Sequence, residues 1–222
     1  MTNQNTHEDM GLFITFEGGE GSGKTTQIKL LKCHIQSLIP DIEIVISREP
    51  GGTEVAEQIR DILVNGSADK MSTRTETLLM IASRAEHIDR VILPALKRGA
   101  IVLCDRFKDS SIVYQGLANN ISKEEIDKIH EFALESCEPD LTILLDIPAE
   151  TGIKRALDRN ERNQRFEHKG KEFHKRIRDG YLKLTNIYPE RIKVINASQS
   201  VQSISDEINQ LITPILMHRR HK

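Results

Sequence analysis

The residues most able to do chemistry lie in one short stretch, Phe16 to Thr26, which reads FEGGEGSGKTT. Its spacing, Gly18-x-x-x-x-Gly23-Lys24-Thr25, is typical of loops that bind the phosphates of ATP or GTP. Glycines let consecutive backbone N–H groups turn toward one centre, and the helix that follows adds partial positive charge. We expect Lys24 to reach the β- and γ-phosphates and the Thr25 hydroxyl to bind Mg²⁺.

The alternative is a glycine-rich turn that only begins a helix. An apolar strand before the loop and a helical pattern after it disfavour that interpretation. The sequence therefore predicts a nucleotide site formed by Gly18, Gly19, Glu20, Gly21, Ser22, Gly23, Lys24, Thr25 and Thr26.

Two further groups of polar residues follow apolar runs. Arg48 and Glu49 precede the turn formers Pro-Gly-Gly and Thr53, a good helix N-cap, so a plain turn explains only part of this segment. Asp105 and Arg106 end another apolar run. The carboxylate can hold Mg²⁺ through water and the guanidinium can bind a phosphate with two hydrogen bonds, although a structural ion pair is the alternative.

The elements that must position these residues form an alternating series of strands and helices. Near-continuous apolar runs predict five buried parallel strands: GLFITFEG, IEIVISRE, AIVLCDR, LTILLDIP and RIKVINAS. Alternation with helices predicts an α/β fold with an open parallel sheet, which binds ligands at the carboxyl ends of its strands.

Apolar stripes and caps place the intervening helices. The predicted stripes are Ile28, Leu31, Ile35 and Leu38; Leu78, Ala82, Ala85 and Ile88; Ile126, Ile129 and Ala133; and Ile204, Ile208 and Leu211. Thr73 with Glu76, and Ser122 with Glu125, are predicted capping boxes.

Composition limits the remaining possibilities. The 222 residues suit one domain, and the net charge of −2 gives no reason to expect a nucleic-acid partner. No apolar run is long enough to cross a membrane, and residues 1–10 read as a polar, flexible tail. The three cysteines read as small buried hydrophobes in a reducing compartment, so we expect a cytoplasmic protein.

The segment from Arg155 to Arg176 is rich in arginine and nearly free of core-forming residues. We expect much of it to be a mobile flap. The guanine-reading Asn-Lys-x-Asp and the Asp-x-x-Gly switch of regulatory GTPases are both missing. A phosphate loop with an arginine-rich flap instead indicates phosphoryl transfer to a small acceptor.

Taken with these motifs, the chain resembles the bacterial thymidylate kinase family of P-loop nucleoside monophosphate kinases from Leu12 to about Ile215. The resemblance rests on FEGGEGSGKTT, REPGGT, LLMIASR, DRF-x-DSS-x-x-YQG, PDLTILLD and the arginine-rich flap. It implies a five-stranded parallel P-loop kinase fold, with residues 157–173 as a mobile LID. It also implies ATP, Mg²⁺ and dTMP as ligands, and a homodimer.

The resemblance assigns roles to individual residues. The Glu20 carboxylate accepts from the 3′-hydroxyl of dTMP, facing the acceptor while the loop backbone holds ATP. The remaining acceptor residues are Arg60 and Arg106 at the 5′-phosphate, Arg48 and Glu49 lining the site, Arg84 at the thymine edge with Ser111 and Gln115, and Tyr114 where a 2′-hydroxyl would lie.

Met80 departs from the family pattern, which usually has a phenylalanine that stacks on thymine at this position. A methionine side chain covers a ring less specifically than phenylalanine does. The alternative is that Met80 is only a core residue of its helix. Asp105 joins Thr25 at the metal. Lys24, Arg106, and the LID residues Arg159 and Arg165 are the predicted catalytic groups, with Arg159 favoured as the arginine finger. The adenine is expected beside 196–198. A kinase for another nucleoside monophosphate and a non-catalytic nucleotide-binding regulator remain alternatives.

Overall fold

The computed structural model describes residues 11–65, 70–117, 121–134, 137–158 and 170–220. The predicted LID falls largely outside these ranges, since 159–169 includes Arg159 and Arg165. The N-terminal tail, 1–10, also lies outside the described residues.

The core is a five-stranded parallel sheet with the strand order β2-β3-β1-β4-β5. The prediction of an open α/β sheet is therefore confirmed. The strands are β1 (Leu12–Glu17), β2 (Ile44–Arg48), β3 (Ile101–Asp105), β4 (Leu141–Asp146) and β5 (Ile192–Asn196).

Helices cover both faces of this sheet. They are α1 (Lys24–Leu38), α2 (Glu54–Val64), α3 (Thr73–His87), α4 (Leu93–Lys97), α5 (Lys108–Ser111), α6 (Lys123–Leu134), α7 (Ala149–Leu157), α8 (Lys171–Ile187) and α9 (Val201–Arg220). Two π-helical stretches, Ile88–Ile92 and Ile112–Leu117, extend α3 and α5.

The sequence of β1 is apolar because both faces of the strand are buried. Leu12, Ile14 and Phe16 pack into the core beneath α1 and α9. Phe13 points the other way, into the cluster that holds Ile88 and Ile92. Successive side chains of a strand alternate between faces, so a central strand needs apolar residues at nearly every position.

Helix α3 differs from its predicted amphipathic pattern. Leu78 is 53% exposed and Ala82 is also exposed, whereas the buried face carries polar residues that include Glu76, Ser83 and Arg84. The predicted stripe was therefore wrong for its first half, although Ile88 is fully buried on the sheet. The inward polar face is stable because its side chains have buried hydrogen-bond partners: Arg84 donates to Glu49, and Glu76 accepts from Gln115.

Helix caps were predicted with mixed success. Thr53 caps α2 by accepting from the N–H of Ala56 at 3.0 Å. Ser122 and Glu125 form the expected reciprocal pair before α6. The Thr73–Glu76 capping box is wrong, because Ser72 is the N-cap of α3, accepting from the N–H of Thr75.

Two predictions from composition were also tested. Cys104 and Cys137 are buried, but Cys33 is exposed, so the expectation of three buried cysteines was wrong for that residue. Within the described ranges, no helix combines the length and apolar character needed to span a membrane.

Candidate active site

Residues Gly18 to Thr25 form a phosphate cradle between β1 and α1. Gly21 and Gly23 adopt positive φ angles of 68° and 94°, which residues other than glycine rarely adopt. A Cβ at Gly21 would lie 2.0 Å from the carbonyl oxygen of Gly152, so a larger residue would displace the loop or α7. The loop leads directly into the N-terminus of α1, whose unpaired N–H groups favour an anion.

Lys24 is buried inside this cradle. Its Nζ donates to the carbonyl oxygens of Gly18 at 3.2 Å and Gly19 at 3.1 Å, and it lies 3.4 Å from the buried Ser22 hydroxyl. Burial first, then the charge of Arg106, lowers the pKa of Lys24. A phosphate in the cradle would favour the charged amine, and the loop holds that amine in position.

Thr25 and Asp105 meet at the mouth of the cradle. The Thr25 hydroxyl donates to Oδ2 of Asp105 across 2.9 Å, while Thr26 lies exposed on the first turn of α1. A hydroxyl and a carboxylate are hard oxygen donors, which suit Mg²⁺. No group of three His, Cys, Asp or Glu side chains suited to a metal occurs among the described residues. That donor set fits an ion held partly by phosphates and water.

Arg106 lies at the junction of the cradle and a second cavity. Among the described residues it is the one non-glycine with a positive φ, 71°, a sparsely populated conformation that clusters at functional sites. Its Nη2 donates to Oε1 of Glu20 at 2.8 Å, and its Nη1 donates to the carbonyl oxygen of Gly18 at 3.1 Å. The backbone and both ends of the guanidinium are therefore fixed.

Glu20 lines this second cavity as well as the cradle. Its Oε1 accepts from Arg106 and from the Tyr114 hydroxyl at 3.0 Å. Burial alone would raise the pKa of Glu20, but the charges of Arg106 and Lys24 and the Tyr114 hydrogen bond outweigh it and hold the pKa at about 2. Glu20 is thus an ionised acceptor at neutral pH.

A buried network behind Arg106 was not assigned a role by the sequence. Glu17, at the end of β1, accepts from the N–H of Phe107 at 2.8 Å and from the hydroxyls of Ser110 at 2.7 Å and Tyr181 at 2.8 Å. The hydroxyl of Tyr181 in turn lies 3.2 Å from Nη1 of Arg106. A carboxylate at the end of a largely apolar strand was the available signal for Glu17.

Arg48, Glu49 and Arg60 surround the same junction. Arg48 is exposed and pairs with Glu57 at 2.8 Å, and Arg60 donates to the carbonyl oxygen of Pro50 at 2.9 Å. Burial first, then the charge of Arg48, lowers the pKa of Arg60. An anion bound between these arginines would relieve that repulsion.

Two adjoining cavities share part of this wall. The cradle cavity is lined by 20–25 together with Arg48, Glu49, Arg60, Asp105 and Arg106. The second, which we term the acceptor cavity, is lined by Glu20, Glu49, Pro50, Arg60, Leu63, Val64, Met80, Arg106, Ser110, Tyr114 and Gln115. Glu20, Glu49, Arg60 and Arg106 therefore face both spaces.

Arg84 and Ser111 lie outside the lining of the acceptor cavity. Arg84 is fully buried, and its guanidinium donates to Glu49 at 2.6 Å, Ser111 at 3.0 Å and the carbonyl oxygen of Phe107 at 2.9 Å. In this arrangement the arginine supports the cavity wall. Its predicted contact with a base edge stays a prediction.

The predicted adenine-binding loop follows β5. Arg155, at the end of α7, donates to the carbonyl oxygen of Ala197 at 3.1 Å, and its Cβ also lies near Gly21 of the cradle. This arginine therefore connects the phosphate cradle to the loop, a connection that the sequence alone did not suggest.

Comparisons with known proteins agree on one family. The family model described as thymidylate kinase matches residues 16–208. The chain is similar to thymidylate kinases from Clostridium novyi (strain NT), at 47% identity over 89% of this chain and 96% of the relative, and from Pelobacter propionicus, at 44% over 95% and 96%. Its fold is similar to the crystal structure of thymidylate kinase from Ehrlichia chaffeensis, with a TM-score of 0.74 and 33% identity over 91% of this chain and 98% of that one.

Proposed function

The chain belongs to the thymidylate kinase family, and we propose that it transfers the γ-phosphoryl group of ATP to dTMP, giving ADP and dTDP. The observation that carries the proposal is the shared wall of the cradle and the acceptor cavity. A donor phosphate in the first space and an acceptor phosphate in the second would meet at Arg106. Such a meeting point is what in-line transfer requires.

The protein groups act by positioning and by charge neutralisation. The 5′-phosphate of dTMP is itself the nucleophile, so no strong general base is needed. Lys24 would hold the transferred phosphate, and Arg106 with Arg60 would hold the acceptor phosphate. Mg²⁺, bound through Thr25 and Asp105, would neutralise charge on the ATP phosphates.

The sugar would be recognised at the junction of the two cavities. Glu20, ionised and held by Arg106, offers an acceptor to the 3′-hydroxyl. Tyr114 lines the same space and donates to Glu20, so its ring would occupy the position of a ribose 2′-hydroxyl and favour deoxyribose.

The base would enter the apolar part of the acceptor cavity. Met80 lines this cavity and packs in a cluster with Leu63 and Val64. Its thioether would cover one face of the thymine ring, the role that phenylalanine usually has in the family. A flap arginine, Arg159 by the sequence with Arg165 next, would complete the charge neutralisation when 157–173 closes over the phosphates.

We extend the proposal to the assembly and the compartment. The exposed Leu78 and Ala82 on α3, beside the exposed Val55 and Ile62 on α2, would suit a homodimer face. The free cysteines Cys33, Cys104 and Cys137 support a reducing cytoplasmic location.

A coupled assay for ADP with separation of the nucleotide products tests the reaction. We expect ATP and dTMP to give dTDP, with lower kcat/KM for dUMP, UMP, dCMP and AMP. A faster reaction with any of these four acceptors would reassign the substrate. Binding of ATP without formation of any nucleoside diphosphate other than ADP would show that the chain is not this kinase.

A further inference from the structure

A buried histidine, His87, connects the end of β2 to the wall shared by the two cavities. Its ring is fully buried at the C-terminal end of α3. Nε2 lies 2.6 Å from the hydroxyl oxygen of Ser47 on β2, and Nδ1 lies 3.1 Å from Oε1 of Glu49. The proposed phosphoryl transfer assigns no role to this chain of three side chains.

The two partners of the ring determine where it carries its hydrogen. Glu49 already accepts from Nε of Arg84 at 2.6 Å, and an ionised carboxylate offers only acceptors. His87 must therefore donate from Nδ1 to Glu49. A second buried cation beside Arg84 would be unfavourable, so Nε2 is left as an acceptor for the hydroxyl of Ser47.

The glycine turn that follows β2 packs directly on this chain. A Cβ at Gly52 would lie 2.7 Å from Nε2 of His87 and 2.7 Å from the hydroxyl oxygen of Ser47. The backbone of the turn therefore leaves the imidazole little room to rotate away from its two partners.

Glu49 needs two anchors because it lines both cavities beside a cation that a phosphate would use. Arg60 lines the same two cavities; it donates to the carbonyl oxygen of Pro50 and forms no ion pair within the described ranges. A carboxylate released into this space would pair with Arg60 and occupy the donors that an incoming phosphate needs. Both oxygens of Glu49 are instead engaged, one by Arg84 and one by His87.

We propose that His87 is a positioning residue that holds Glu49 against Arg84, so that Arg60 remains available to the acceptor phosphate. The inference rests on the proposed function, and it gives His87 no direct contact with the substrate. Loss of the Nδ1 donor would leave Oε1 of Glu49 unpaired at the cavity wall. An ion pair with Arg60 would then satisfy that oxygen at the expense of phosphate binding.

Two substitutions separate the roles of the two ring nitrogens. The NH₂ group of asparagine can occupy the position of Nδ1, whereas that of the longer glutamine reaches the position of Nε2. His87→Asn therefore keeps a donor for Glu49, and His87→Gln loses it. A role in packing alone predicts the opposite order of damage, because asparagine leaves the larger void in the core.

The measurement compares the affinities of each protein for dTMP and for thymidine, which lacks the phosphate. Calorimetric titration gives the ratio of the Kd for thymidine to the Kd for dTMP. We expect His87→Gln to lower this ratio about tenfold or more, and His87→Asn to keep it within about threefold of the unsubstituted protein. His34→Gln, at a half-buried histidine of α1 that contacts Thr213, is the matched control and should leave the ratio unchanged.

The position of the hydrogen is measured in the unsubstituted protein, so this second measurement does not depend on the folding of a variant. We expect proton–nitrogen correlation NMR at neutral pH to show a hydrogen on Nδ1 of His87 and none on Nε2. A hydrogen on Nε2 would overturn the inference.

The titrations contradict the inference in two ways. Folding of each variant is checked by its thermal transition. A folded His87→Gln with an unchanged ratio, or an equal fall of the ratio in both variants, would show that His87 does not act through Glu49. If the unsubstituted protein binds dTMP no more tightly than thymidine, or forms no dTDP from it, the proposed function fails instead. The two failures are therefore distinguishable.

Discussion

Arg106 donates from Nη2 to Oε1 of Glu20 across 2.8 Å, and this ion pair joins the phosphate cradle to the acceptor cavity. This ion pair explains why the carboxylate of Glu20 can occur in a loop that is expected to bind phosphate. The cradle uses backbone N–H groups and Lys24, so the side chain of Glu20 is free to turn toward the neighbouring cavity. The arginine neutralises that carboxylate and also lines both cavities.

Tyr181→Phe tests whether the network behind Arg106 positions its guanidinium. The lost hydroxyl contacts Arg106 at 3.2 Å, Ser110 at 2.9 Å and Glu17 at 2.8 Å. We expect kcat to fall about tenfold while the KM for ATP changes little, because misplacing a positioned cation affects the transition state most. Steady-state kinetics measures this, and Tyr188→Phe is a matched control outside the network.

Equal loss of activity in both tyrosine variants, or a change confined to the KM for ATP, would contradict the positioning role of Tyr181.

Glu17→Gln tests the electrostatics of the same network through stability. Burial first, then Asp109, raises the pKa of Glu17 from 4.5 to about 7, against the lowering effects of Arg106, Ser110 and Tyr181. Between these two pH values the folded state binds a proton that the unfolded state has released. Raising the pH from about 5 to about 7 therefore lowers the contribution of Glu17 to the free energy of unfolding.

We expect the free energy of unfolding of the unsubstituted protein to decline over that pH range relative to Glu17→Gln. Denaturant titrations of both proteins at several pH values measure the difference. A difference that is independent of pH, or that grows as the pH rises, would show that Glu17 is not protonated in the folded protein below neutrality.

Ser72→Ala and Thr73→Ala distinguish the observed helix start from the predicted one. The Ser72 hydroxyl accepts from the N–H of Thr75, so its removal should destabilise the protein by about 1 kcal/mol. Thr73 is the first residue of α3 rather than its cap, and Thr73→Ala should change stability by less than about 0.5 kcal/mol. Thermal unfolding of the two variants, compared under the same conditions, gives the result; the reverse order would restore Thr73 as the cap.

Arg159→Ala tests the finger predicted for the LID. An arginine that neutralises transition-state charge contributes about 10³–10⁵ in rate, so kcat should drop by that order. Arg162→Ala in the same segment is the control and should cost far less. Turnover of Arg159→Ala within about tenfold of the original would mean that another residue, Arg165 first, supplies the charge.

The sheet and the cradle could be predicted from the sequence because each depends on residues that are close together in the chain. A central strand such as β1 must be apolar on both faces, and Gly18 to Thr25 has a fixed spacing. The buried face of helix α3 could not be predicted in this way. Its inward face contains Glu76 and Arg84, whose partners are distant in sequence, and apolar patterning treats such residues as exposed.

The most direct test of the account compares dTMP with its 3′-deoxy analogue in the unsubstituted enzyme and in Glu20→Gln. If the ionised Glu20 accepts from the 3′-hydroxyl, removing that hydroxyl should cost the unsubstituted enzyme about tenfold or more in kcat/KM. In Glu20→Gln the same removal should cost less than about threefold, because the charged acceptor is already lost. An equal loss in both enzymes would place the sugar away from Glu20 and contradict the central claim.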